Sequence, residues 1–290
     1  MPSIAIIGPG AIGGTVAAWL SQDKHNAVSL CTRTPFHHLQ VDTPEGPLFA
    51  QPPVFTSPDE VGPVNWVLIA TKAYAVTETA RWLPNLIGPD TRVAILQNGV
   101  EHIERFSPYV DPTALVPVVV DCPAERKTPG HIWQRRAGHL IIPDNEAGRE
   151  LARLFTSNSL TAATTTDFKS HAWRKLALNC TGVVSALLLK SVDIRQNEEL
   201  TQLMRSLIRE CIAVGRAEGA VPDDRLEENI IEGYRRQPGD SINSLHADRL
   251  AGRPLEIDAR NGAVVRFGQK HGIDTPMNAL MTSLLKAATD

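Results

Sequence analysis

The chain has 290 residues, of which 42% are apolar and 21% charged, and its formal net charge at pH 7 is −3. That length accommodates two domains, and the composition is typical of a globular protein. The small negative charge gives no electrostatic basis for binding nucleic acid or an acidic membrane surface, and no apolar run reaches the roughly 18 residues that span a bilayer.

The first predicted elements are a strand, a glycine-rich turn and a helix. Residues 4–7 are an apolar run that predicts a buried parallel strand, and the spacing of Val16, Ala17 and Leu20 predicts one face of a helix. Between them the sequence reads G-x-G-x-x-G, which in this context indicates dinucleotide binding, because glycines permit a tight turn and a close approach of pyrophosphate to the helix N-terminus. The residues expected to contact the cofactor are Gly8, Pro9, Gly10, Ala11, Ile12 and Gly13.

The end of the second predicted strand, residues 27–32, indicates which dinucleotide is bound. NAD-binding domains place an acidic side chain there for the ribose 2′-hydroxyl. This chain has Thr32, Arg33 and Thr34 instead, with no Asp or Glu. Arg33 can pair with a 2′-phosphate and Thr32 can donate a hydrogen bond to it, which favours NADP(H). The alternative is that Arg33 is an ordinary solvated loop residue.

Further strands alternate with helical segments as far as residue 166, which predicts a parallel sheet built from βαβ units. Lys72 follows one buried strand and Asn98 another, at the sheet edge where ligands bind in such folds, although Asn98-Gly99 also suits a simple turn. Residues 130–143 predict an antiparallel hairpin. The other predicted segments are strands at 66–71, 92–96 and 115–120, a helix at 77–83, and short irregular strands or loops at 44–63.

After residue 166 the pattern becomes helical throughout. We therefore expect an α/β N-terminal Rossmann-type domain with a parallel sheet, residues 1–166, followed by an all-α C-terminal domain, residues 167–290. The helices of the second domain are apolar enough that a homodimer is possible, and they are equally suited to form that domain's own core. Helices are predicted at 172–190, 200–219, 225–235, 244–250, 255–271 and 277–288.

Polar side chains interrupt these apolar helices at two places. Lys175 and Asn179 are four residues apart and share a helix face. A buried lysine can become a proton donor near neutral pH, but spacing alone favours a lysine that reaches solvent at the helix edge. The second group shows the same i, i+4 spacing, which by itself favours surface caps and ion pairs. It consists of Ser244, Asp248, Glu256, Arg260 and Asn261.

The cysteines and histidines give no sign of a metal site. Cys31, Cys122, Cys180 and Cys211 are far apart and form no C-x-x-C, and His37-His38 is the only histidine pair. Widely spaced cysteines are most simply reduced thiols, and the N-terminus lacks the pattern of a signal peptide. We therefore expect a cytoplasmic protein without a bound metal.

Taken together, these segments resemble the ketopantoate reductase (2-dehydropantoate 2-reductase) family. The matching motifs appear in the family's order and span nearly the whole chain: GPGAIG from Gly8, TKA at 71–73, QNG at 97–99, WRKLALNC at 173–180, INSLHAD at 242–248 and LEIDARNG at 255–262. The resemblance implies a two-domain oxidoreductase in which NADPH gives a hydride to the carbonyl carbon of a 2-oxo acid, ketopantoate, to form pantoate.

The resemblance also implies roles for single residues. Lys175 would be the general acid that protonates the carbonyl oxygen, and Glu256 would orient the substrate hydroxyl and hold Lys175. Asn98, Asn179 and Ser244 would bind polar groups of the substrate, with Ser244 near the carboxylate. Lys72 would lie near the cofactor, which Asn98 would also contact, and Asp248 would support the substrate site.

One departure from the family pattern concerns substrate choice. The family commonly has a second asparagine four residues after the first on this helix, where this chain has Val183. Loss of a polar group can change which substrate a pocket accepts. Two alternatives therefore stay open: a related dehydrogenase for a more apolar 2-oxo acid or an opine-type substrate, and an NADPH-binding sensor without catalysis. Retention of both Lys175 and Glu256 argues against the sensor.

Overall fold

The computed structural model describes residues 1–191, 197–237 and 241–289, which divide into two compact units. The first unit comprises Met1–Gln97 and His102–Phe168, and the second comprises Asn98–Glu101 and Lys169–Asp290. The short segment Asn98–Glu101 thus belongs to the second unit although first-unit sequence flanks it on both sides. The single boundary predicted at residue 166 does not include this crossing of the chain into the second unit and back.

Thirteen strands lie in the described residues, all of them in the first unit. In chain order they are Ser3–Ile7 (β1), Ala27–Cys31 (β2), Leu39–Thr43 (β3), Gly46–Ala50 (β4), Val54–Phe55 (β5), Trp66–Ile69 (β6), Arg92–Ile95 (β7), Leu115–Pro117 (β8), Val119–Asp121 (β9), Ala124–Thr128 (β10), His131–Gln134 (β11), Gly138–Pro143 (β12) and Leu160–Thr165 (β13). The helices of this unit are Ala11–Leu20 (α1), Val76–Ala80 (α2), Leu83–Leu86 (α3), His102–Phe106 (α4) and Glu146–Arg153 (α5).

The main sheet has six parallel strands in the order β5-β2-β1-β6-β7-β8. Its central strands are apolar on both faces because alternate residues enter two different cores. Ile4 and Ile6 pack in the core that also receives Val16 of α1, whereas Ala5 and Ile7 pack in the core that receives Leu83 of α3. Helices covering both faces of a parallel sheet are the arrangement expected of a dinucleotide-binding domain.

Two smaller sheets correct the sequence-based prediction for residues 130–143, because β11 and β12 do not form a hairpin. β11 pairs with β10 and, in parallel, with β3, in a sheet ordered β10-β11-β3-β4. β12 pairs with β9 and, in parallel, with β13 in a separate sheet. The predicted strand 115–120 is likewise divided between two sheets, and the region 44–63 contains the regular strand β4.

The described residues of the second unit contain helices and no strand. The helices are Phe168–Leu188 (α6, whose first residue belongs to the first unit), Glu198–Ala217 (α7), Leu226–Arg235 (α8), Ser244–Leu250 (α9), Ala263–His271 (α10) and Pro276–Ala287 (α11). A π-helical turn, Asp258–Gly262, precedes α10, so the single helix predicted over 255–271 is wrong in its first half. The predicted fold class, an α/β Rossmann-type domain followed by an all-α domain, is confirmed. None of the helices in the described segments is both long enough and apolar enough to cross a membrane.

Candidate functional site

The glycine turn after β1 has the shape that a dinucleotide needs. Gly8 has φ +84°, and a Cβ there would lie 2.7 Å from Cγ2 of Thr71. A Cβ on Gly13 would collide with the carbonyl oxygen of Gly8, whereas a Cβ on Gly10 would project into space whose nearest atom is 4.0 Å away. Two glycines are therefore required for close packing, and Gly10 leaves the N-terminal end of α1 open to a phosphate group.

The other predicted cofactor residues of the first unit follow neighbouring strands of the same sheet. Thr32 and exposed Arg33 come directly after β2, whose neighbour is β1. The Thr32 hydroxyl accepts from the Thr34 N–H at 3.3 Å, which shapes the turn that carries Arg33. Lys72 follows β6 on the other side of β1, and Gln97 holds its carbonyl oxygen at 3.2 Å. The carboxyl ends of parallel strands share one sheet edge, so these residues lie along the edge that carries the glycine turn.

In the second unit, Asn98 connects two residues that are far apart in sequence. Asn179 Nδ2 of α6 donates to Asn98 Oδ1 at 3.3 Å, and Asn98 Nδ2 donates to Glu256 Oε2 at 3.2 Å. We call these three residues the Asn98 bridge. Lys175 is half-buried one helical turn before Asn179 on α6. Three of the six predicted substrate and catalytic residues are thus linked by hydrogen bonds, and one of them, Asn179, shares a helix face with Lys175.

Asn98 is held in the second unit by its own short segment. Arg266 of α10 donates from Nε and Nη2 to the two carboxylate oxygens of Glu101, at 2.9 and 2.7 Å, and from Nη1 to Asp258 at 2.7 Å. The hydrogen bonds to the two carboxylates raise the pKa of Arg266, although its burial acts in the opposite direction. Gly99 has φ +115°, and a Cβ there would lie 3.0 Å from the carbonyl oxygen of Ala259. A glycine is therefore needed where the segment meets the π turn, and a bidentate arginine fixes its far end.

Ser244 lies close to the Asn98 bridge through Arg260. Exposed Ser244 is the first residue of α9, and its hydroxyl oxygen accepts from Nη2 of Arg260 at 2.8 Å. The same Nη2 lies 3.9 Å from Oε2 of Glu256. Glu256 and Arg260 are each only 2% exposed. A buried carboxylate, a buried guanidinium and an exposed hydroxyl are therefore grouped, which suits a site that recognises polar groups on a small molecule.

Asp248 has a different set of contacts. Its Oδ1 accepts from Nε of Arg253 at 2.8 Å, and its carbonyl oxygen accepts from the Arg253 N–H at 2.9 Å. These bonds close the turn that follows α9. The carboxylate therefore fixes the end of the helix whose first residue is Ser244, and the supporting role of Asp248 in the site stays a prediction.

Two asparagines fix the site's elements through contacts distant in sequence. The sequence pattern did not indicate Asn243, and it indicated Asn261 only as a member of the second polar group. Asn243 caps α9 through the N–H groups of Leu245 and His246, and also donates to Ser185 of α6 at 2.6 Å. Fully buried Asn261, in the π turn, donates to the carbonyl oxygen of Cys180 at 3.1 Å and to Asn278 at 2.9 Å. An Asn directly before a predicted helix was the available signal for Asn243.

Val183 lies on α6 one turn after Asn179, and the structure places it in the apolar core. It is fully buried among residues such as Leu207, Ile208 and Val264. A side chain with no exposed surface does not line an open pocket. The replacement of an asparagine by Val183 is therefore a packing feature of the second unit, and it gives no direct sign of a more apolar substrate site.

Together, the parallel sheet with its glycine turn and the helical unit with its grouped polar residues define a dinucleotide-dependent oxidoreductase of two units. Family models described as ketopantoate reductase PanE/ApbA and its C-terminal domain match residues 4–147 and 167–289. A 2-dehydropantoate 2-reductase from Caulobacter vibrioides is 54% identical over 288 residues, which are 99% of each chain. The chain belongs to the ketopantoate reductase family, and it is an oxidoreductase.

Solved structures agree with this assignment. A 2-dehydropantoate 2-reductase from Geobacter metallireducens superposes with a TM-score of 0.92 at 27% identity, over 99% of this chain and 100% of that one. A dimeric ketopantoate reductase from Staphylococcus aureus gives a TM-score of 0.89 at 27% identity, over 99% and 98% of the two chains. Both cover the two units described above.

Proposed function

We propose that this chain reduces a 2-oxo acid with NADPH, and that the acid is 2-dehydropantoate (ketopantoate), which yields pantoate. The observation that carries the proposal is the Asn98 bridge, which brings Glu256 and Asn179 together one helical turn from Lys175. The name of the Caulobacter relative, at 54% identity over the full length, supports ketopantoate as the particular acid. Reduction of a carbonyl needs a hydride, a proton and groups that orient the substrate.

Lys175 is the proposed general acid. Its ammonium group is a charged donor on a largely apolar helix, and it is half-buried. As negative charge develops on the carbonyl oxygen, a proton passes from Nζ to that oxygen, and a cation beside the oxygen stabilises the charge before transfer. NADPH, when bound at the glycine turn, would supply the hydride for the carbonyl carbon, and this hydride with the proton from Lys175 accounts for the 2-hydroxy acid.

The residues around Lys175 position the substrate. Glu256, as a carboxylate, accepts hydrogen bonds and so suits the substrate hydroxyl and the Lys175 ammonium. Asn98 and Asn179 present amides that both donate and accept, and each is fixed by the other at 3.3 Å. Ser244 supplies a hydroxyl for the substrate carboxylate. Asp248 acts indirectly, through the Arg253 ion pair at the end of α9.

The first unit suits NADPH in particular. The glycine turn is proposed to hold the pyrophosphate, which is supported by the crowded Cβ positions of Gly8 and Gly13 and the open one of Gly10. At the end of β2, Thr32 and the exposed guanidinium of Arg33 offer donors to a 2′-phosphate where an NAD-specific domain has a carboxylate. Lys72 adds a cation at the same sheet edge. Asn98 is also proposed to contact the cofactor, in addition to its hydrogen bonds within the second unit.

The alternatives make different demands. A more apolar 2-oxo acid would need apolar surface from Val183, which is fully buried. A non-catalytic sensor would need neither a lysine one helical turn from Asn179 nor the Asn98 bridge. Both alternatives therefore have less support than ketopantoate reduction. They can be distinguished from it by measuring which 2-oxo acids, if any, the protein reduces.

We also propose that the enzyme works in the cytoplasm as a homodimer. None of the four cysteines, all of which lie in the described residues, forms a disulfide, and all four are buried, which fits a reducing compartment. Leu280 and Leu284 of α11 are half-exposed and lie one helical turn apart. Such a pair suits burial against a second copy.

The test is NADPH oxidation with ketopantoate and a panel of other 2-oxo acids, for the wild type and Lys175→Met. We expect the wild type to turn over ketopantoate fastest. Loss of a general acid lowers kcat by about 10²- to 10⁴-fold, with NADPH affinity unchanged. The matched control is Lys169→Met, which removes an exposed lysine from the first turn of the same helix.

The outcomes separate the proposals. Wild-type kcat in Lys175→Met would refute the general-acid role. Turnover of another 2-oxo acid only would refute ketopantoate as the substrate. Tight NADPH binding without turnover of any acid would favour the sensor.

A further inference from the structure

Arg260 is a buried cation to which neither the family resemblance nor the proposed reaction gives a role. It is 2% exposed, and its Nη2 donates to Ser244 Oγ at 2.8 Å. Among the residues that the structure describes, its Nε has no hydrogen-bond partner. Burial of an unpaired donor costs free energy, and buried groups of this kind occur where function requires them. Stability alone therefore does not explain an arginine at this position.

The bond from Arg260 fixes how the Ser244 hydroxyl can be used. A guanidinium group carries donors and no acceptor, so Ser244 Oγ must accept in this contact. The hydroxyl proton is then left to donate in another direction. Ser244 is exposed at the start of α9. Arg260 thus turns Ser244 into a donor for an external acceptor such as a carboxylate oxygen.

Arg260 also acts on the charge of Glu256. Its Nη2 lies 3.9 Å from Glu256 Oε2, and both side chains are almost fully buried. The positive guanidinium group therefore faces the carboxylate. Its charge offsets the repulsion that a second, incoming carboxylate would meet beside Glu256.

The backbone around Arg260 holds its side chain close to both Ser244 and Glu256. The turn Asp258–Gly262 is π-helical, with the Gly262 N–H donating to the carbonyl oxygen of Ile257 at 3.0 Å. π-helical turns are rare overall, and those that occur are often found at functional sites. Asn261 anchors the turn to α6 and α11. The Arg260 guanidinium is therefore placed by a fixed backbone rather than by a flexible loop.

We propose that Arg260 is a positioning residue for recognition of the substrate carboxylate. It directs the Ser244 O–H toward that carboxylate and compensates the charge of Glu256 beside it. The inference rests on the proposed function, since it names the residue that tunes the same site for an anionic 2-oxo acid.

The test compares the 2-oxo acid with its uncharged carboxamide as substrates for Arg260→Gln, Arg260→Lys, Ser244→Ala and the double variant Arg260→Gln/Ser244→Ala. We expect KM for the acid to rise about 10- to 100-fold in Arg260→Gln, as for loss of a hydrogen bond to a charged group, with kcat changed only a few-fold. KM for the carboxamide changes little. The second substitution adds less in the double variant than it does alone, because the two residues act through one contact.

Two measurements keep the test independent of folding and of turnover. Calorimetric binding of the 2-hydroxy acid product reports anion recognition without catalysis. Arg209→Gln, which removes an equally charged but exposed arginine from α7, is the matched control and is expected to behave as wild type. If Arg260→Gln does not fold, the positioning role is tested with Ser244→Ala and Arg260→Lys. The lysine keeps the positive charge of Arg260 but not its planar guanidinium. Each of the two variants is expected to raise KM for the acid about 10-fold.

The results that would overturn the inference are specific. Equal losses for acid and carboxamide, or additive effects of the two substitutions, would show a structural role for Arg260. Wild-type KM in Arg260→Lys or Ser244→Ala would do the same. A wild-type enzyme that reduces no 2-oxo acid would refute the proposed function itself, which is a separate result.

Discussion

Replacement of Val183 by asparagine restores the polar residue that the family commonly carries, and we expect it to destabilise the second unit rather than change the substrate. Val183 is fully buried in the apolar core. Full burial of a valine side chain stabilises by about 1.5 kcal/mol. An amide buried without partners costs about 1–3 kcal/mol. The expected loss of unfolding free energy is therefore about 2.5–4.5 kcal/mol.

The assay is thermal unfolding followed by far-ultraviolet circular dichroism, because most of the helical residues lie in the second unit. At about 3 °C for each kcal/mol, Tm falls by about 10 °C in Val183→Asn. Val183→Thr is the control, because its hydroxyl can donate to the carbonyl oxygen of residue 179 one turn earlier and its shape matches valine. We expect a loss of about 1 kcal/mol for that variant.

One combination of results would show that Val183 is not a core residue. If Val183→Asn unfolds at the wild-type temperature and also changes the ranking of 2-oxo acids, then position 183 faces the substrate. In that case the more apolar acid becomes the better candidate for the natural substrate.

Two further predictions concern the cofactor and pH. Arg33→Ala should raise KM for NADPH about 10- to 100-fold while KM for NADH changes only a few-fold, and equal effects on both cofactors would contradict a 2′-phosphate contact. Burial of the Glu218 carboxyl acts to raise its pKa, but hydrogen bonds from His271 and Lys270 outweigh it and hold the pKa below 4.5. Because the folded-state pKa is lowered, this contact stabilises the fold above about pH 4.5 and the contribution is lost as pH falls through the folded-state value. The Tm difference between wild type and Glu218→Gln should therefore shrink on acidification, and a difference that persists at low pH would exclude this cause.

The sequence predicted best those features that depend on neighbours along the chain. The order of strand, glycine turn and helix in residues 4–20 was identified because its signals lie within one window. α9, Ser244–Leu250, was predicted with the bounds that the structure shows. The shared face of Lys175 and Asn179 follows from helical spacing alone.

Features that depend on distant pairing were missed. Residues 131–134 and 138–143 have the pattern of a hairpin, yet each strand finds a parallel partner elsewhere, β3 and β13. Periodicity gives the face of a strand but not its partner. The π turn before α10 was also missed, because an i→i+5 hydrogen bond has no residue-type signal in the sequence. The contact of Asn98 with Glu256, 158 residues later, has no local signal at all.

The assignment of Asn98–Glu101 to the second unit has a consequence for dissecting this protein. The polypeptide passes from one unit to the other three times, after Gln97, after Glu101 and after Phe168. One proteolytic cut therefore cannot release an intact half, and a fragment beginning near residue 167 would lack Asn98, so Glu256 and Asn179 would lose their common partner. Gene fusion or exchange at a single junction would fail for the same reason, and the two units are expected to have been inherited together.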